Sequence, residues 1–363
     1  MKLECVREQL TEAVSITERI ARHHPTLPIL NHLFLSVKNN SLTIRSTNLE
    51  LGIEVTLPVK AVSEGIVAVP AETLLNTLIN TYHTSISLEV KNNTLSLKTP
   101  TSETLITTTS PDDFPTLPTL TGKPLRFKGS DFLKGIKSVW YSASASTMKP
   151  ELGSVYVRSE GPKMVFVATD SFRLAEKIVP TKQPYEFKPF LLPVRVVPEV
   201  LRVLERTGED MTVRVDEHQI SFHFNDIYLT SRTMEGTFPD YHQIIPKEKA
   251  TEAVLLKQDL LLAFKKALVF SGKFNQVGIT VYPKKKQFVI SAKSDVGETT
   301  DTVTAAVSGE DVAINFNLKY LADCFQAISG DSVSLTFNGS GKPLVIRDVS
   351  DTSFLYLVMP MNR

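Results

Sequence analysis

Nucleophilic catalysis needs a serine or cysteine held beside a base. Asp170-Ser171 has no histidine nearby in sequence and no G-x-S-x-G elbow around it, so it reads as the polar corner that ends a strand. The histidines His23, His24, His32, His83, His218, His223 and His242 form no H-E-x-x-H and no Cys/His grouping, so no metal site is expected. Gly339-Ser340-Gly341-Lys342 has the look of a phosphate loop. It lacks the upstream glycine, and Pro343 stands where a magnesium-binding Ser or Thr must follow, so it reads as a hairpin turn. The acidic pairs Asp112-Asp113 and Glu209-Asp210 lie in turn-like stretches and read as solvated. Cys5 and Cys324 have no metal-like spacing and read as small buried hydrophobes of a reducing cytoplasm. No catalytic constellation and no cofactor are expected, and an enzyme would need a site assembled from distant residues.

The remaining chemistry belongs to surfaces. Lys134 and Lys137 share one helix face, and Arg195, Arg202 and Arg206 share another, with Glu199 among them. Such faces are either ordinary solvated surface or a lining that tracks phosphates. The run Phe354–Met361 (FLYLVMPM) alternates like a strand and ends in Met359-Pro360-Met361. It is either a last strand buried in its own sheet or an adaptable peptide-binding rim, because methionine side chains conform to varied partners.

The chain has 363 residues, with 40 Lys+Arg against 39 Asp+Glu and a net charge of +1. Its length suits roughly two to three domains. So little net charge rules out holding nucleic acid by bulk electrostatics and leaves local patches or topology. The opening MKLECVREQL has no apolar h-region, and no run approaches the length of a membrane span, so neither a signal peptide nor a membrane partner is expected.

The elements that must position these residues repeat. Amphipathic patterns predict helices over Arg7–Ala21, Asp131–Ala143 and Leu256–Ser271, although Leu262 and Val269 sit off the apolar stripe of the last. A second helix is predicted to start at Pro70, Pro193 and Asn317. Pro193 follows Pro70 by 123 residues, and Asn317 follows Pro193 by 124. Alternating runs predict hairpins, among them Leu33–Val37 with Ser41–Arg45 and Ile86–Val90 with Thr94–Lys98. The central stretch Val165–Ala175 reads as strand, polar corner and strand. Each unit is helix, strands, helix, strands, which makes an α+β module used three times. The segments Phe114–Pro118 and Phe238–Tyr241 close the first two units, so the domains are expected at 1–121, 122–246 and 247–363.

Four dispersed motifs carry a resemblance that spans the whole chain: ATDSFRLA (168–175), FPDYHQIIP (238–246), LVMPM (357–361) and HPTLPILNHL (24–33). Together they resemble the bacterial DNA polymerase III beta subunit family, the sliding clamps. The resemblance implies three similar DNA-clamp domains, each with two helices packed on antiparallel sheets, and a head-to-tail ring of two chains around double-stranded DNA. It implies a non-catalytic cytoplasmic processivity factor. Its implied partners are the polymerase III catalytic subunit, the clamp loader, and other polymerases and repair proteins, which dock through short linear motifs.

Carried over by position, the motif pocket comprises Leu152, Thr169, Ser171, Phe172, Arg173, Leu174, Pro239, Ile244, Asn317, Tyr320, Pro343, Val358, Met359, Pro360 and Met361. The implied DNA channel comprises His24, Lys134, Lys137, Lys149, Arg195, Arg202 and Arg206. The implied subunit joint pairs the strand Glu103–Thr109 with the partner's third unit, with Ile106 meeting Val269 and Phe270. The chain departs from the family's usual pattern at Ser171-Phe172, Gln243 and Asn362, which bears on the preferred peptide. A repeat-built scaffold that never touches nucleic acid is the competing function.

Overall fold

The computed structural model describes residues 1–21, 26–146, 148–182, 184–207 and 210–361. Contacts divide the chain into two compact units, Met1–Ser130 with Pro198–Thr233, and Asp131–Val197 with Met234–Arg363.

The first unit holds two antiparallel sheets. One has five strands in the order Lys60–Ser63, Lys2–Val6, Ser85–Lys91, Thr94–Lys98 and Glu103–Thr107. The other has eight, running Leu125–Lys128, Asp210–Val215, Gln219–Phe224, Ile227–Arg232, Leu51–Pro58, Ser41–Thr47, His32–Lys38 and Gly65–Pro70. Both asparagine-bearing hairpins form as the sequence predicts. Asn39-Asn40 (φ 50° and 58°) and Asn92-Asn93 (φ 47° and 57°) supply the paired left-handed residues of two-residue hairpin turns. Alternation decides which face is inside, since Leu33, Leu35 and Val37 are buried while their neighbours are not. Helix Arg7–Glu18 buries Leu10, Ala13, Val14, Ile16 and Thr17 and packs on helix Ala71–Ile79 and on the strands Ser41–Thr47 and Leu51–Pro58.

The second unit repeats the design. A nine-stranded antiparallel sheet runs Phe190–Pro193, Ser154–Ser159, Lys163–Thr169, Arg173–Pro180, Phe354–Val358, Leu344–Asp348, Ser332–Phe337, Thr251–Leu256 and Ala305–Gly309. A four-stranded sheet runs Gly297–Val303, Gln287–Ser294, Gln276–Tyr282 and Val312–Asn317. Helices Lys257–Phe270 and Leu318–Asp323 pack together, and the second is capped as expected. The Asn317 side chain accepts from the Lys319 and Tyr320 amides. Leu262 and Val269 lie outside the buried stripe, 58% and 66% exposed.

Two sheet seams join strands that are far apart in the chain. Leu51–Pro58 pairs with Ile227–Arg232 (Leu51 opposite Ser231), and Arg173–Pro180 pairs with Phe354–Val358 (Arg173 opposite Val358). Strands from different thirds of the sequence therefore share one hydrogen-bonded sheet. Among the described residues no helix is long and apolar enough to cross a membrane.

Candidate functional site

The central corner forms as strand Lys163–Thr169, three turn residues, and strand Arg173–Pro180. Side chains replace the missing ladder bonds. Asp170 Oδ1 accepts from the Phe172 and Arg173 amides, each at 2.9 Å. The Thr169 hydroxyl donates to the Arg173 carbonyl at 2.7 Å and accepts from the Ser171 amide at 3.2 Å. This geometry forces Ser171 into the left-handed region (φ 76°) and leaves the Phe172 ring 61% exposed.

Arg173 fixes the wall beside that ring. Its Nε donates to Asp170 Oδ2 at 3.0 Å, a terminal nitrogen donates to Asp323, and its guanidinium carbon lies 4.5 Å from the centre of the Tyr320 ring. Burial disfavours the cation, but Tyr356, Asp323 and Asp170 more than offset this, so Arg173 stays charged. The Tyr356 hydroxyl donates to the Tyr320 carbonyl at 2.8 Å and ties the same helix to the last strand. Two backbone bonds then hold the chain terminus in place, from the Met359 amide to the Phe172 carbonyl and from the Met361 amide to the Asn315 carbonyl, both 2.8 Å.

The structure thus brings Thr169, Ser171, Phe172, Arg173, Asn317, Tyr320, Met359, Pro360 and Met361 into one bonded neighbourhood. Tyr320, Met359, Pro360 and Met361 are half-buried, as a rim must be. Leu174 and Val358 are correctly located but sit beneath the surface at 1% and 0% exposure, so they support the rim and offer it no contact area. Leu174 joins Val165, Val167, Tyr241, Val345, Leu355 and Leu357 in one cluster, with Phe238 and Ile245 against it. That cluster anchors the segment carrying the exposed Pro239 and Ile244. Phe238 stacks on Tyr156 with ring centres 4.8 Å apart, and the Tyr241 hydroxyl donates to Glu176 while accepting from Arg158. Pro343 is buried at the start of the strand that pairs with Val358. Leu152 is buried in a turn whose carbonyl accepts from the Ser144 amide.

Sequence reasoning did not find Asp170, Asp323, Asn315 or Tyr356 as parts of this site. Asp170 carries a local signal, the Asp two and three residues before amides that need an acceptor. Asp323 lies 150 residues from Arg173, and no spacing announces the pair.

The cationic faces separate into two kinds. Lys134, Lys137, Lys149, Arg195 and Arg206 are exposed. Lys134 lies 3.9 Å from Asp351, and Arg206 donates to the Ser15 hydroxyl at 3.2 Å. Arg202 departs from expectation. Its guanidinium donates to Glu199 at 2.8 Å and to the Ile16 and Ser15 carbonyls at 2.7 and 3.4 Å, leaving the side chain 13% exposed. Those carbonyls lie in the last turn of helix Arg7–Glu18, so Arg202 caps the end of a helix and is not offered to a polyanion. His24 lies outside the described residues.

The expected joint needs a correction of one residue. Its strand ends at Thr107, and Ile106 is 4% exposed, pointing into its own core, whereas Leu105 on the opposite face is 65% exposed. Strand alternation puts the two on opposite faces, and Leu105 is the one turned outward. Glu103–Thr107 is nonetheless an edge strand, as is Gly297–Val303 in the second unit. Beside the latter, Val269 is exposed and Phe270 half-buried, its ring against Gly297.

Helix pairs backed by antiparallel sheets make up an α+β fold of the clamp class. Three family models match in succession along the chain. They are the N-terminal domain of the DNA polymerase III beta subunit over residues 1–118, its central domain over 126–240 and its C-terminal domain over 242–362. The chain belongs to the DNA polymerase III beta subunit family. It is 27% identical to the beta sliding clamp of Synechococcus elongatus over 375 residues, covering 100% of this chain and 99% of that one. It is also 27% identical to the beta sliding clamp of Escherichia coli K12 over 381 residues, covering both chains fully. The crystal structure of the DNA polymerase III beta subunit of Thermotoga maritima superposes with a TM-score of 0.93 at 26% identity, over 100% of this chain and 99% of that one.

Proposed function

We propose that this protein is a DNA sliding clamp. Two copies join head to tail into a closed ring around duplex DNA and tether the replicative polymerase, without catalysing any reaction. The full-length match to three successive beta-subunit domains is the observation that carries the reading. The three domains are those expected at 1–121, 122–246 and 247–363. Two of the sheet edges, Glu103–Thr107 with Leu105 and Gly297–Val303 with Val269 and Phe270, are the surfaces through which the copies join.

The rim around Phe172, Tyr320 and Met359–Met361 receives short linear motifs of the polymerase, the clamp loader and repair proteins. Each Leu or Phe side chain that such a peptide buries there contributes roughly 1.5–3 kcal/mol. A ring needs little direct affinity for DNA, which suits a chain of net charge +1. The exposed Lys134, Lys137, Lys149, Arg195 and Arg206 give weak, screened phosphate contacts that permit sliding. The test is retention on DNA. Protein loaded on a nicked circle stays bound through gel filtration and is lost once the circle is linearised. Equal loss from both forms sinks the ring and favours the scaffold.

A further inference from the structure

The row of side chains that makes the rim runs on past it. Strand register carries Leu174 across to Leu357, Val345 and Thr336 in turn. The first three share the cluster that Phe238 and Ile245 cover. Two residues toward the rim on each strand stand Phe172, Met359, Pro343 and Asn338. This outer row keeps the same register at both ends. The Met359 amide donates to the Phe172 carbonyl at 2.8 Å, and the Lys342 amide to the Gly339 carbonyl at 3.3 Å, which sets Asn338 opposite Pro343. Strand alternation then puts Met359, Pro343 and Asn338 on the face of Leu357, Val345 and Thr336, at the end where Phe172 projects.

Asn338 is 9% exposed, and among the described residues neither its Oδ1 nor its Nδ2 has a hydrogen-bond partner. A buried carboxamide with both atoms unmet costs more than an apolar residue of the same size. A visitor that supplied both partners would recover that cost. There is room to admit one. Asn338 leads into the turn Gly339–Lys342, whose four residues are exposed, and nothing lies within 4 Å of where a β-carbon would stand on Gly339 or Gly341. Gly339 has φ 107°, a backbone that glycine takes freely, so the tip has the space and the freedom to swing off the carboxamide. Oδ1 and Nδ2 set an acceptor beside a donor. In an extended peptide the N–H and C=O of one residue point the same way and match such a pair.

We propose that Asn338 reads the backbone of the docked peptide, accepting from the N–H and donating to the C=O of one of its residues. The inference rests on reading the Phe172 rim as a peptide pocket. Such a contact recognises extended shape and not residue type, which suits a rim offered to varied motifs. The test is fluorescence anisotropy with the full-length protein and the labelled C-terminal peptide of the same organism's replicative polymerase. Asn338→Leu is expected to bind about ten-fold more weakly yet to melt no earlier than the parent, since the unmet amide is gone. Asn338→Ala is the second variant should leucine not fit. Peptides with one backbone amide at a time replaced by an ester locate the partner. One ester is expected to weaken binding to the parent and to leave Asn338→Leu unmoved, a coupling that a purely structural role does not give. Weakening by Phe172→Ala with none by either Asn338 variant overturns this proposal and spares the rim. Coupling found only on truncating an Asn or Gln side chain of the peptide overturns the backbone assignment. Affinity unmoved by Phe172→Ala sinks the rim, and this inference with it.

Discussion

Arg173 shows how residues far apart in the chain come to shape one site. With 11% of its side chain exposed, it is held by Asp170, Asp323 and the Tyr320 ring, so removing its charge leaves Asp170 without its counter-charge. Arg173→Gln is expected to lower stability by about 2–3 kcal/mol and to weaken the polymerase peptide at least about ten-fold, read by denaturant titration and fluorescence anisotropy. Unchanged affinity would show that the wall is not part of the rim.

A second charged pair sets acid sensitivity. Lys177 is 1% exposed and donates to Asp351 at 2.7 Å. Burial pushes the Asp351 carboxyl up, but the Lys177 and Ser353 hydrogen bonds outweigh it and hold the group well below the ordinary carboxylate range. Its contribution is therefore complete above about pH 4 and fades as pH falls toward the native value. Asp351→Asn should flatten the acid limb of a stability–pH curve below about pH 4 and cost about 2–3 kcal/mol at neutral pH, because Lys177 stays buried with its counter-charge gone. The corner itself is legible in the sequence as Thr169-Asp170-Ser171, since its bonds are local. The partners of Arg173 and Arg202 are not, because chain folding alone brings them together.

Helices and hairpins are the most legible level. Apolar period locates the helix pairs, and asparagine pairs locate the turns. What periodicity leaves undecided is which of two neighbouring strand residues faces outward, and the expectation for Ile106 falls on the wrong face for that reason. Leu105→Asp is expected to leave a folded chain that sediments as a monomer, whereas Ile106→Asp puts a charge in the core and unfolds it. A folded, dimeric Leu105→Asp protein would end the assignment of this edge as the joint.

Helix Gly129–Val139 carries a glycine in mid-run for a packing reason. A β-carbon at Gly135 would stand 2.2 to 2.6 Å from the Phe166 ring, which itself packs edge-on against Phe132 at 5.3 Å. Gly135→Ala, a gain in helix propensity, is expected instead to destabilise by about 1–3 kcal/mol in thermal melts. The hairpin tips repeat a theme as well. Leu49, Phe172 and Val296 each end a corresponding hairpin with an exposed apolar side chain, at 43%, 61% and 76%. The sequence hides this likeness because the three tips share no residue.

For the whole molecule, the three successive family matches carry the identification that the threefold period and the motifs announce, and the near-zero net charge suits enclosure over adhesion. A ring makes that difference measurable. On a closed circle, retention should change little as salt is raised, while the drift rate along linear DNA toward an end should rise as phosphate contacts are screened. Retention on circles that fell steeply with salt would point to electrostatic binding instead. The seams at Leu51 opposite Ser231 and Arg173 opposite Val358 carry a different consequence. A repeat unit in the sequence is not a unit of cohesion here, because each border cuts through a continuous ladder. Excising residues 1–121 or 247–363 would bare a full strand's worth of unsatisfied amides and carbonyls, ready to capture any passing β-strand. Such fragments should precipitate where the intact polypeptide stays in solution, and the three copies, once joined, have forfeited the freedom to be shuffled apart.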